Sequence, residues 1–104
     1  IKWEDFYKYL PDFGLIINAT SLGMKNSDQF HHSIEIVNEQ ATYIDTVYNP
    51  LETQMIKKFK QKNIKTFNGL DMLIYQGQKS FYIWNRVNPE VNDELVNLLK
   101  DKIK

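Results

Sequence analysis

Short apolar runs alternate with amphipathic stretches along most of this chain. Residues 15 to 20, LIINAT, are apolar without in-out alternation, which is typical of a strand buried on both faces. Residues 42 to 48, TYIDTVY, and 64 to 67, IKTF, predict two further strands because both are rich in β-branched and aromatic side chains. The polar segment between the first two strands predicts a loop, with a helical turn or short helix over residues 33 to 40.

Helices are predicted over residues 3 to 10, 49 to 63 and 71 to 85, and after Pro89. Pro11 is expected to end the first helix. Asn49 is the predicted N-cap of the second, with Pro50 at its first helical position. The predicted apolar faces comprise Leu51, Met55, Ile56 and Phe59 in the second helix, Leu70, Leu73, Ile74, Gly77, Phe81 and Trp84 in the third, and Val91, Leu95, Leu98, Leu99 and Ile103 in the last.

Strands that alternate with helices are typical of right-handed crossovers and a parallel sheet. The predicted fold class is therefore α/β, half of a doubly wound parallel sheet with about three strands flanked by helices. In the complete architecture the strand at residues 15 to 20 lies at the centre of the sheet, beside a strand that this chain lacks. We therefore expect the isolated chain to self-associate through that strand edge.

The amino-acid composition argues against several kinds of partner and site. Lys plus Arg equals Asp plus Glu at 13 each, which argues against a nucleic-acid or anionic-membrane partner. The lack of cysteine excludes disulfides, thiolate metal sites and a cysteine nucleophile. No apolar run approaches the roughly 20 residues that span a bilayer, so a cytoplasmic protein is expected. The chain begins with Ile1 instead of methionine, which indicates a processed or truncated piece.

Small and polar residues follow each predicted strand, at residues 18 to 21, 46 to 49 and 68 to 71. In an open parallel sheet these segments meet at one edge, where ligands bind. The sequence contains neither a G-x-G-x-x-G motif nor a phosphate-binding P-loop. His31 and His32 are adjacent, so their side chains point apart; we interpret them as solvated loop residues and predict no metal site.

Gln76 is the one polar side chain that stands out within the third amphipathic helix. It follows Met72 by one turn and shares its face, which the sequence predicts to be buried. Met72, Phe81 and Trp84 are predicted core residues, whereas the lysines at 57, 58, 60 and 62 are assigned to a solvated face. A buried amide needs partners for up to four hydrogen bonds. Gln76 therefore either bonds the backbone at the sheet edge or binds a polyhydroxylated ligand.

Three motifs, LIINATSLGM, DTVYNPLET and NGLDMLIYQGQKSFYIW, resemble the carboxyl-terminal part of shikimate dehydrogenase in their order and spacing, over nearly all of residues 12 to 90. Gly14 departs from the family, which often has an acidic residue there. The resemblance implies the second half of a Rossmann-like NADP-binding domain. The amino-terminal substrate domain and the glycine-rich loop would then lie outside this chain.

The resemblance implies an enzyme that reduces 3-dehydroshikimate to shikimate with NADPH, on the route to aromatic amino acids, as a monomer or homodimer. It carries over no catalytic residue, so the chain alone is expected to be inactive. A quinate-preferring relative and a non-catalytic binding or assembly module are the alternatives. The residues that the resemblance assigns are Tyr48 and Gln76 for substrate, Gly69 and the backbone at Thr46 for the nicotinamide, and Asn18, Thr20 and Ser21 for the turn beside the nicotinamide ribose.

Overall fold

Three short parallel strands form one sheet in the order β1-β2-β3. The computed structural model describes residues 1–103. Within this range Leu15 pairs with Thr42, and Thr42 pairs with Lys65, so the three strands begin level with one another. The predicted α/β class with three parallel strands is confirmed. The strands are β1 at Leu15–Asn18, β2 at Thr42–Asp45 and β3 at Lys65–Phe67, each shorter than the apolar run that predicted it.

Within residues 1–103, four helices accompany the sheet: a 3₁₀ helix at Trp3–Asp12, α1 at Gln54–Gln61, α2 at Leu70–Asn85 and α3 at Asp93–Lys102. Pro11 lies inside the 3₁₀ helix, so the prediction that it ends this helix is wrong. Pro11 removes one N–H donor from the last turn, and the helix ends one residue later, at Asp12.

Residues 33 to 40 contain two hydrogen-bonded turns, so of the two predicted alternatives, a helical turn or a short helix, the short helix is wrong. The Ser33 hydroxyl accepts the Glu35 N–H at 3.3 Å, and the Asn38 side chain accepts the Gln40 N–H at 2.9 Å. Such local side-chain bonds compete with helical hydrogen bonds for the same backbone groups.

The N-cap of α1 is Thr53, whose hydroxyl accepts the Ile56 N–H at 3.2 Å. The prediction of Asn49 as the cap, with the helix starting at Pro50, is therefore wrong. Thr53 is 1% exposed and also bonds a side chain of β2, so the sheet fixes where the helix begins. The chain between β2 and Thr53 therefore remains non-helical, and it forms part of the edge of the sheet.

The core lies between one face of the sheet and α1. Tyr43 of β2 stacks on Phe59 of α1 with ring centroids 4.3 Å apart. Met55 and Ile56 complete the buried stripe of α1, as the spacing of apolar residues predicts. Leu51 precedes the helix and is half-buried, so its assignment to that stripe is wrong. The buried cluster consists of Leu10, Ile34, Val37, Ala41, Tyr43, Met55, Ile56, Phe59 and Ile64.

The opposite face of β1 is open, which contradicts the prediction of a strand buried on both faces. Ile16 packs against the core, whereas Leu15 and Ile17 are 55% and 53% exposed. Successive strand residues point to opposite faces, and the core cluster covers the face that carries Ile16.

Burial in α2 is confined to Leu70 and Ile74 near its start. Met72, Phe81 and Trp84 are 51%, 44% and 78% exposed, so their prediction as core residues is wrong. The molecule is elongated, with extents of 46 × 25 × 24 Å. Apolar spacing predicts which residues share a helix face, but a neighbouring element must be present to bury that face.

We expect Phe59→Ala to lower the free energy of unfolding by about 3 to 5 kcal/mol, because it opens a cavity beside Tyr43. The matched control is Trp84→Ala, which should change it by less than about 0.5 kcal/mol, since Trp84 is largely exposed. Urea denaturation of both variants measures the difference. Equal losses would contradict this placement of the core.

Candidate functional site

A cleft of about 220 Å³ lies at the carboxyl ends of β1 and β2. Parallel strands bring these ends to the same edge of the sheet, so the predicted crevice is present. It is lined by Thr20, Met24, Lys25, Thr46, Val47, Tyr48 and Asn49. The third predicted segment, at residues 68 to 71, contributes none of these lining residues.

Asn18 ends β1 and is 6% exposed. Its amide oxygen accepts the Thr20 N–H at 3.0 Å and the Thr20 hydroxyl at 2.6 Å. Its amide nitrogen donates to the Leu22 carbonyl at 2.9 Å and to the Asp45 carboxylate at 3.1 Å. These contacts use the four hydrogen bonds of the amide. Asn18 therefore shapes the turn that brings Thr20 to the cleft, while Ser21 is exposed and outside the lining.

Thr46 connects the two strand ends that border the cleft. Its N–H and its hydroxyl both donate to the Asn18 carbonyl, at 3.0 and 2.9 Å. The backbone at residue 46 is therefore fixed relative to β1, and its neighbour Val47 is 5% exposed.

Gly69 packs directly against the backbone of the Thr46–Val47 segment. Its N–H donates to the Val47 carbonyl at 2.9 Å, and a Cβ at this position would overlap the Thr46 carbonyl group. The Gly69 φ of −83° is available to any residue, so the requirement for glycine is steric. The structure thus gives Gly69 a packing role that the sequence did not reveal.

Tyr48 and Gln76, the two predicted substrate residues, lie in different surroundings. Tyr48 is 39% exposed and lines the cleft. Gln76 is exposed on α2 and is not a lining residue, so the prediction that its face is buried is wrong. It stands seven residues after Gly69, which is about 10 Å along a helix axis and on the same face. The face that carries Gly69, Met72 and Gln76 starts at the sheet edge and continues into open space.

Asp45 was not predicted from the sequence as a site residue, although it is fully buried at the end of β2. Four groups donate to its carboxylate: the Asn18 amide at 3.1 Å, the Val47 N–H at 3.0 Å, the Tyr43 hydroxyl at 3.0 Å and the Thr53 hydroxyl at 2.8 Å. A buried carboxylate is tolerated when it is fully hydrogen-bonded. The available signal was a lone acidic residue within an otherwise β-branched and aromatic strand.

Burial of the Tyr43 ring, and then the charge of Asp45, raise the pKa of the Tyr43 hydroxyl far above its usual range. Tyr43 therefore keeps its proton and remains a donor to Asp45 across the physiological pH range.

The two adjacent histidines differ in environment. His31 is exposed as predicted, but His32 is half-buried among aromatic rings, so its assignment as a solvated loop residue is wrong. The ring centroids of Phe6 and Phe30 lie 4.9 and 5.4 Å from that of His32. No group of three or more potential metal ligands occurs within residues 1–103. No helix in the same range is long and apolar enough to cross a membrane.

No model of a known protein family matches the sequence. Individual proteins do match it. A shikimate dehydrogenase (NADP(+)) from Pelagibacter ubique (strain HTCC1062) is 41% identical over 99 residues, which are 95% of this chain and 36% of that protein.

Two solved structures have the same fold over most of this chain. A shikimate dehydrogenase in complex with NADP+ has a TM-score of 0.76 and 41% identity, over 90% of this chain and 35% of that one. The shikimate 5-dehydrogenase of Thermus thermophilus, in complex with NADP(H) and shikimate, has a TM-score of 0.72 and 30% identity, over 81% and 32%. The chain spans about a third of the length of the relatives it matches. Over that span the resemblance carried by the three motifs is confirmed.

We expect Gly69→Ala to destabilise the protein by about 3 kcal/mol or more, because its Cβ would overlap the Thr46 carbonyl group. Gly77→Ala is the matched control: a Cβ at Gly77 meets nothing within 4 Å. There alanine should stabilise α2 by about 0.5 to 1 kcal/mol. Thermal or urea denaturation of the two variants should therefore show shifts of opposite sign, and a tolerated Gly69→Ala would refute the close approach.

Proposed function

We infer that this chain is the carboxyl-terminal part of an NADP-dependent shikimate dehydrogenase, since enzymes of that name match almost its whole length. The observation that carries the inference is the 41% identity to a structure in complex with NADP+ that also shares the fold at a TM-score of 0.76. Residues 1 to 104 would form the carboxyl-terminal part of a Rossmann-like NADP-binding domain. The amino-terminal substrate domain and the glycine-rich loop would belong to the remainder of the parent enzyme.

The proposed reaction is the reversible reduction of 3-dehydroshikimate to shikimate, a step in chorismate and aromatic amino acid biosynthesis. When bound, NADPH supplies the hydride. This chain would contribute one side of the site that holds the cofactor and the substrate in position. Such positioning is a large component of catalysis between two bound molecules. No residue here is proposed as a general acid or base, so the isolated chain is proposed to be inactive.

The cleft residues fit the nicotinamide and ribose end of NADP. The lining combines the hydroxyls of Thr20, Thr46 and Tyr48 with apolar Met24 and Val47, which suits a flat ring joined to a sugar. Lys25 is the one basic side chain among the lining residues, so the cleft offers little positive charge for a pyrophosphate. We therefore place the pyrophosphate against the remainder of the parent.

The cofactor residues are proposed to act mainly through the backbone and the turns. Gly69 and Thr46 would present the backbone of the sheet edge to the nicotinamide. Asn18 would fix the turn after β1, so that Thr20 and Ser21 lie beside the ribose. The two hydrogen bonds that Thr20 donates to the Asn18 amide oxygen support this division, because they occupy that oxygen within the protein.

Tyr48 and Gln76 are proposed to bind the substrate. Both are exposed, Tyr48 in the cleft and Gln76 in the second turn of α2, the helix that begins at the sheet edge next to Gly69. The substrate would lie between this surface and the substrate domain. The exposure of Gln76 supports the ligand-binding reading over the alternative of a buried amide that bonds the sheet backbone.

In the parent enzyme we expect Gln76→Ala to lower kcat/KM for shikimate by roughly 5- to 150-fold, the equivalent of about 1 to 3 kcal/mol for one hydrogen bond to a substrate hydroxyl. Oxidation of shikimate, followed by NADPH absorbance, measures the change. The matched control is Gln78→Ala, which removes an amide of the same helix that bonds the Pro89 carbonyl at 2.7 Å.

The control should change kcat/KM by less than about twofold, since this side chain is not assigned to the site. A folded wild-type parent that oxidises quinate but not shikimate would move the proposal to a quinate-preferring relative. Inactivity on both compounds would favour a non-catalytic module.

We also propose a cytoplasmic enzyme, monomeric or dimeric as the complete parent, whose isolated 104-residue part self-associates. β1 is an edge strand of the sheet, and Leu15 and Ile17 on its open face are about half exposed. Edge strands with apolar flanks recruit other chains.

The isolated chain should therefore increase in mean mass with concentration in light scattering. Ile17→Lys places a charge on the open face and should reduce that increase, whereas Lys2→Glu, exposed and outside the sheet, should not. A concentration-independent monomer would contradict the self-association.

A further inference from the structure

We propose that Asp45 is a positioning residue for Tyr48. Its carboxylate fixes the conformation of the segment that carries Tyr48 at one side of the cleft. The inference rests on the proposed function, because it concerns how Tyr48 meets the substrate. Asp45 is fully buried and is not a lining residue of the cleft. It would act on the reaction only through the segment that it holds.

The segment that carries Tyr48 is fixed at its start by Asp45. The Asp45 carboxylate accepts the Val47 N–H at 3.0 Å, one peptide before Tyr48. The Val47 carbonyl accepts the Gly69 N–H at 2.9 Å. Residue 47 is thus bonded on both sides of its backbone, and its side chain is 5% exposed. The direction in which the chain enters Tyr48 is fixed by these contacts.

The end of the same segment is also held by Asp45, through Thr53. The Thr53 hydroxyl donates to Asp45 at 2.8 Å and accepts the Ile56 N–H at 3.2 Å. One carboxylate therefore holds residues 47 and 53, on either side of Tyr48. Between them the chain has no regular helix or strand, so these two anchors limit its freedom.

The same carboxylate also links the two sides of the cleft, through Asn18. Asn18 donates to Asp45 at 3.1 Å, and the same amide accepts the N–H and the hydroxyl of Thr20. Thr20 follows β1 and Tyr48 follows β2, and both line the cleft, so each is within a few bonds of the same buried group. A change at Asp45 should alter their relative placement without removing any group that touches a ligand.

Asparagine at this position would be a sensitive probe. Its NH2 group would face hydrogen-bond donors where the carboxylate now accepts, and buried donors would lose their partners. The segment around Tyr48 would then sample more conformations, and the gain from preorganised contacts with the substrate would fall.

The test is a double-mutant cycle in the parent enzyme, with kcat/KM for shikimate measured for Asp45→Asn, Tyr48→Phe and the pair. We expect each single variant to lose roughly 10- to 100-fold, and Asp45→Asn to lose less than about threefold further when Tyr48 is already phenylalanine. Such coupling is not expected of a residue that only stabilises the fold, because its effect would multiply with that of Tyr48→Phe.

Leu10→Val is the control for a purely structural loss, since Leu10 is fully buried in the core and forms no hydrogen bond with Asp45 or its four donors. Its effect should multiply with that of Tyr48→Phe. If Asp45→Asn fails to fold, Tyr43→Phe takes its place, because it removes one of the four donors and leaves the carboxylate present. It should show the same sign of coupling with a smaller loss.

Multiplicative effects for both network variants, with an active wild-type parent, would overturn the role of Asp45 and leave the proposed function intact. A folded wild-type parent without activity on shikimate would overturn the proposed function, and this inference with it.

Discussion

The four hydrogen bonds received by the buried Asp45 carboxylate unite β1, β2, the start of α1 and the segment that carries Tyr48. A buried carboxylate is costly in a protein interior unless donors surround it. Here the donors come from separate elements, so the carboxylate is satisfied only when those elements occupy their native positions. The shape of the cleft depends on this condition.

The close approach of Gly69 to the Thr46 carbonyl group is a second constraint at the same edge. It brings the start of α2 against the end of β2 and leaves no space for a side chain. The consequence reaches Gln76, because the start of α2 is fixed at this point and Gln76 lies in its second turn. A packing requirement at one glycine thus sets the direction of a face that the proposed function assigns to the substrate.

The distribution of apolar surface agrees with a chain that spans about a third of its relatives' length. One face of the sheet is packed against α1, while Leu15 and Ile17 on the other face and most of α2 are exposed. The proposed cofactor and substrate residues lie along the border between these packed and open regions. A shared site between this segment and the remainder of a larger enzyme would have this arrangement.

Apolar periodicity in the sequence determined the parallel α/β architecture, the stripe of α1 and the crevice at the strand ends, because those features depend on local spacing and on the geometry of parallel sheets. Three motifs within the same sequence carried the resemblance to shikimate dehydrogenase. Tertiary structure decided what lies far apart along the chain: the bond of Asn18 to Asp45 spans 27 residues. The tertiary structure also decided that Thr53 caps α1 and that Gln76 is exposed. Burial and hydrogen-bond partners depend on which distant element packs nearby, and local spacing does not contain that information.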